Sequence, residues 1–155
     1  MKLTVYGIIQ TLPSKLVGTY RVLLGLIFIT VGGLKYFNST FGTIWNIQLQ
    51  EIRIPFIDFF YYFVPFYEIV TGCLLLVGYF TRVGAVMIIP VMFVAIYTHL
   101  SVYDPNAFFF HPYEAFYPSM VIMMAFVVLL YGGGRWSLDL KIQKKHFGGH
   151  GSDLF

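Results

Sequence analysis

Five residues carry charge or a titratable nitrogen into stretches of almost wholly apolar chain: Arg21, Lys35, Glu68, His99 and Glu114. A carboxylate kept from water accepts a proton or a hydrogen bond, a cation orients a polar ring, and an imidazole moves protons near neutral pH. Glu68 is the sharpest case. It lies about nine residues into an apolar run, hence about 13 Å from its start at about 1.5 Å per residue. Tyr61, Pro65, Glu68 and Gly72 share one helical stripe, so the carboxyl group faces the same way as a helix irregularity and a small residue suited to close packing. Two readings stand: a proton acceptor or hydrogen-bond partner for a quinone head group, or a structural acid, neutral or paired, that locks two helices together.

Arg21, Gly25, Phe28, Gly32 and Lys35 form a second stripe, spaced four, three, four and three. Its glycines allow a neighbouring backbone to come close. Arg21 and Lys35 fall near opposite ends of one apolar run, where long cationic side chains snorkel to headgroups. Either could instead orient a quinone ring, and Lys35 could reach an ion pair with Glu68. His99 aligns with Met92, Ile96 and Tyr103; Glu114 aligns with Tyr117 and Val121, just after His111. His99 reads as a satisfied interfacial residue or as a hydrogen-bond donor and proton carrier. In a bundle Lys35, Glu68, His99 and Glu114 would converge in one half. No two metal-ligating residues sit at i, i+3 or i, i+4 on one apolar run, which points away from a metal site. Cys73, the single cysteine, excludes an internal disulfide and a C-x-x-C pair, and it reads as a small buried apolar residue. No intrinsic cofactor is expected; a quinone is admitted, and bound lipid is expected.

The elements that position these residues follow from composition. The chain has 155 residues, 58% of them hydrophobic, 20% aromatic and 11% charged, with a mean hydropathy of +0.75. Ordinary globular domains are about 45–50% apolar and about 25% charged. A soluble fold of this length could not hide that much apolar surface. A soluble enzyme, a secreted disulfide scaffold, a disordered tail and a nucleic-acid-binding module are excluded, and the +3 net charge reports topology rather than a nucleic-acid partner.

A hydrocarbon core about 30 Å thick needs about 20 apolar residues as a helix. Four spans are expected, at about 16–36, 59–80, 83–102 and 113–131, forming an all-α integral membrane four-helix bundle. Residues 1–140 would make the membrane domain and 141–155 a basic, then glycine-rich, cytoplasmic tail. No removable signal peptide is read at the start. Lys2, Lys15, Arg21, Arg82, Arg135, Lys141, Lys144 and Lys145 fall on one side and only Lys35 and Arg53 on the other. Eight against two predicts both termini in the cytoplasm, in a bacterial or archaeal inner membrane. In the first outer connection Phe41, Ile44, Trp45, Leu49 and Ile52 recur at helical spacing, predicting an interfacial helix over about 40–52. The second, 101–112, reads as an apolar hairpin. Aromatic residues crowd this outer side beyond what anchoring needs, which suggests contact with other membrane-protein subunits as well as with the bilayer.

Three segments carry a resemblance to a known family. They are Arg21-Val22-Leu23-Leu24-Gly25 with Gly32-Gly33-Leu34-Lys35, Glu68-Ile69-Val70-Thr71-Gly72 with Gly78-Tyr79-Phe80-Thr81-Arg82, and Gly132-Gly133-Gly134-Arg135-Trp136-Ser137-Leu138-Asp139. In this order they resemble the DoxX family, including DoxD-like subunits, of small four-helix bacterial and archaeal membrane proteins. In the last segment Gly134 belongs to the glycines that end a membrane helix and Arg135 anchors at headgroups. Ser137 caps a short restarting helix that has Asp139 in its first turn. The resemblance implies a membrane subunit linked to redox or thiol homeostasis, one branch being the membrane subunit of thiosulfate:quinone oxidoreductase.

Three functions are then in view. The first is an accessory or structural subunit of a larger respiratory or redox-linked membrane complex, not catalytic as an isolated chain. The second is a quinone-reactive oxidoreductase subunit in which Glu68 and His99 handle protons and Arg21 or Lys35 orients the ring. The third is a small-solute transporter, which few polar residues support.

Overall fold

The computed structural model describes residue 7 and residues 9–101 and 115–147, and among them every regular element is a helix. Those elements are α1 (Lys15–Phe37), α2 (Ser39–Glu51), α3 (Ile57–Val77), α4 (Thr81–Ser101), α5 (Phe116–Tyr131) and α6 (Leu138–Phe147). Helices α1, α3 and α4 are long and apolar enough to cross a membrane. Helix α5 is equally apolar but has 16 residues, about 24 Å at about 1.5 Å per residue. Residues 102–114 lie outside the described residues; they hold the expected hairpin apart from Ser101, His111 within it, and Glu114 at the expected start of the fourth span.

Helices α1 and α3 form the most intimate pair, for the reason their glycine stripes predict. A Cβ at Gly72 would lie 2.8 Å from the Gly25 carbonyl oxygen, and one at Gly32 would lie 2.7 Å from that of Pro65. Only backbones without side chains approach so closely. Helix α4 packs chiefly on α5, making a second pair. Where the pairs meet, Leu24, Phe28, Leu75, Ala85, Ile88, Ala125 and Val128 form one buried cluster.

Asn38 separates α1 from α2 by a single residue. Its backbone N–H closes α1 on the Leu34 carbonyl (3.0 Å), while its side-chain oxygen accepts from Thr40 N (3.0 Å) and Phe41 N (3.3 Å) to cap α2. Helix α2 buries Gly42, Trp45 and Leu49, one stripe at spacings of three and four, against the bundle. This is the helix expected between the first two spans.

Two expectations are corrected. Cys73 is exposed on the outside of the bundle. The buried side of α3 carries Glu68, Thr71, Gly72 and Leu75, and one residue past Gly72 the helix has turned about 100° towards lipid. Arg21 does not reach outward to headgroups; it is 1% exposed and satisfied by carbonyl oxygens inside the bundle. Helix α6 runs from Leu138 through Phe147, past residue 140, and residues 148–155 lie outside the described set.

Candidate functional site

The polar residues gather at two separate places. At the end of the bundle holding the α3–α4 turn, Arg21 donates from Nε to the Gly133 carbonyl (2.9 Å) and from Nη1 to the carbonyls of Leu75 and Leu76, the latter at 2.8 Å. Leu75 and Leu76 belong to the last turn of α3, whose carbonyls have no helical donor. Gly78, at φ +74°, ends that helix by donating to Leu74 O (2.9 Å). Beyond the turn, the Asp139 carboxylate accepts from Phe80 N (2.9 Å), Thr81 N (2.8 Å) and the Thr81 hydroxyl, satisfying the first amides of α4. One cation and one anion thus cap the two sides of the same turn.

Ser137 caps α6 by accepting from Leu140 N (3.1 Å), as its position predicts. Its neighbour Asp139 serves α4, a role that its place in the first turn of α6 does not show. Gly134 brings the loop against the start of α1, where Arg135 N donates to the Ser14 carbonyl (2.9 Å); the Arg135 side chain is exposed. Thr11 is drawn in as well, accepting from Gly133 N (3.1 Å). Arg21 therefore clamps backbone carbonyls at the opposite end of the bundle from Lys35, Glu68 and His99.

The second place is a cavity of about 570 Å³ between the helix pairs, beneath α2. Lys35, Glu68 and His99 line it, so three of the four residues expected to converge do so; Glu114 lies outside the described residues. Lys35 Nζ donates to Glu68 Oε1 at 2.7 Å. The ammonium also sits 4.3 Å from the centre of the Trp45 ring, a cation–π contact that holds it inward. Glu68 is 2% exposed, and its second oxygen, Oε2, is buried with no hydrogen-bond partner among the described residues.

Proline irregularities shape these walls. Pro65 has no N–H, so the Tyr61 carbonyl lacks its helical donor. Trp45 Nε1 donates to that carbonyl instead (3.3 Å), which fastens α2 over the cavity. Pro90 leaves the Val86 carbonyl similarly without a donor in α4, and the next residue's carbonyl, that of Met87, accepts from the Tyr67 hydroxyl (3.0 Å). Thr98 turns its hydroxyl back onto Val94 O (2.9 Å). The remaining wall is largely apolar, including Ile27, Phe28, Val31, Val91, Met92 and Val121. Such a chamber suits a molecule with a small polar head and an apolar body. Trp45 and Tyr67 were not singled out from sequence as site residues. Pro65 was the available signal for Trp45, since a proline in a span frees a carbonyl four residues earlier. Among the described residues no three of His, Cys, Asp and Glu come together in a metal-binding group.

The DoxX family model matches residues 16–101, which hold α1 to α4 and thus Lys35, Trp45, Glu68 and His99. The chain is also similar to the uncharacterized membrane protein Rv3486 of Mycobacterium tuberculosis (strain ATCC 25618 / H37Rv). The two are 31% identical over 132 residues, covering 81% of this chain and 80% of that protein. No solved structure matches the chain.

Proposed function

The chain belongs to the DoxX family of membrane proteins, and from that premise we propose that it is a small integral subunit of a redox-linked membrane assembly that holds a quinone-type molecule in the cavity. The observation that carries this reading is the Lys35–Glu68 pair, its carboxylate buried, on the wall of a largely apolar chamber of about 570 Å³. Isolated charges inside a membrane protein are costly, and those that persist face a partner or a ligand. A quinone supplies the matching chemistry: ring oxygens for the ammonium, and an apolar ring and tail for the walls. His99 lines the same cavity. The membrane is proposed to be the bacterial or archaeal cytoplasmic membrane, with both termini inside.

The assembly half of the reading rests on a different feature. Phe59, Tyr62, Phe63 and Phe66 stand exposed along one face of α3, with the Phe59 and Phe63 rings stacked at 5.0 Å. A ridge of aromatic rings offers a second subunit large rigid contact area. The chain is then an accessory subunit, and catalysis belongs to the assembly.

Native mass spectrometry of the chain extracted in mild detergent from its own membranes tests both halves. The expected spectrum contains a stoichiometric protein partner and an adduct with the mass of a quinone. A lone chain carrying only phospholipid that added quinone does not displace would overturn the proposal.

A further inference from the structure

We propose that the cavity selects the reduced, hydroxyl-bearing form of its ligand, a quinol, over the oxidised quinone. The inference rests on the quinone reading above and deepens it. Its ground is the hydrogen bonding around the Lys35–Glu68 pair; Gln48, His99 and Tyr117 also line the chamber, and their donors serve the oxygens of either ligand form alike. The Tyr67 and Thr98 hydroxyls already donate to the Met87 and Val94 carbonyls, and Trp45 Nε1 donates to Tyr61 O. Lys35 satisfies Glu68 Oε1. What the cavity leaves over on this pair is an acceptor: Glu68 Oε2, buried and without a partner among the described residues, on a side chain 2% exposed.

A buried carboxylate oxygen without a donor is a standing cost, removed by any ligand that brings an O–H to it. A quinone carries only acceptors at its ring oxygens. It can take a hydrogen bond from the Lys35 ammonium, but it leaves Oε2 as it found it. A quinol does both, since each hydroxyl oxygen accepts as a carbonyl does and its proton is available to Oε2. A hydrogen bond to a charged acceptor in a water-poor site is the stronger kind. The reduced form should therefore bind about tenfold tighter or more, tenfold being about 1.4 kcal/mol.

The test is competition, under anaerobic conditions, between decylubiquinol or decylubiquinone and tritiated decylubiquinone bound to the full chain in lipid nanodiscs. Wild type should favour the quinol about tenfold, and Glu68→Gln, whose amide can donate to a carbonyl, should bring the two forms within about twofold. Decylubiquinol with both hydroxyls methylated keeps the ring and tail but donates nothing, so it should lose the advantage on the unaltered protein. That ligand-side comparison stands even if the substitution disturbs folding. Equal affinities of quinol and quinone in wild type would overturn the selection while leaving the quinone reading intact. Undiminished binding of the methylated compound would do the same. No specific binding of any of the three would overturn both.

Discussion

Lys35 Nζ and Glu68 Oε1 lie 2.7 Å apart because Gly32, one turn before Lys35, lets α1 rest on the Pro65 carbonyl of α3. The pair thus depends on a missing side chain as much as on its own charges. Trp45 of α2 closes over it, and its indole nitrogen uses the carbonyl that Pro65 releases. Glycine, proline, tryptophan and the two charges make one unit.

Breaking the pair on one side should hurt more than removing it. Lys35→Met leaves Glu68 uncompensated in the bundle, an arrangement that costs about 3–5 kcal/mol in buried pairs, whereas Lys35→Met with Glu68→Leu should recover most of that loss. Thermal unfolding in detergent reads both variants. A double variant as unstable as the single one would show that the pair is not what couples these positions.

The glycines of the α1–α3 contact should be intolerant, each to a degree set by what its Cβ meets. At Gly25 it would lie 2.9 Å from Leu76 N, and at Gly72 2.8 Å from Gly25 O, both backbone atoms that cannot step aside. Gly25→Ala and Gly72→Ala should each cost about 1–3 kcal/mol by overpacking. At Gly33 nothing lies within 4 Å, so Gly33→Ala should be neutral or slightly stabilising in the same helix. Equal unfolding temperatures for all three would contradict the close helix contact.

The clamp at the other end should govern stability without touching ligand binding. Asp139→Ala strips the first amides of α4 of their acceptor, at a cost of about 1–3 kcal/mol. Arg21→Lys keeps the charge but cannot reproduce the fork that reaches carbonyls on two elements. Both variants should unfold earlier, and the fraction that remains folded should bind quinone with unchanged affinity. A loss of affinity in well-folded protein would place this end in the site.

Much of this was legible in the sequence because lipid is an exacting solvent. Charges at Lys35 and Glu68 inside apolar runs demand a partner, and the glycine stripes show which faces approach. The helix at α2 was legible from its apolar spacing. Arg21 was misread, and the service of Asp139 to α4 was not visible beside its correctly placed first-turn position, for one shared reason: their partners are backbone groups at helix ends, and a sequence does not display which carbonyl or amide a distant side chain will find. Cys73 was misplaced because the polar residues of this stretch of α3, Glu68 and Thr71, lie on its buried side, and no polar residue marks the side turned to lipid.

The central claim, that a quinone sits against the Lys35–Glu68 pair, is tested most directly by photo-crosslinking. A short-tailed quinone bearing an azide on the ring is illuminated with the chain in nanodiscs, and the labelled peptides are sequenced. The account predicts label on cavity residues of α1, α3 and α4, such as Val31, Tyr67 and Met92, competed away by unmodified quinone and lost in Glu68→Leu. Label spread over lipid-facing residues such as Phe93, Met123 and Phe126, unaffected by competitor, would contradict it.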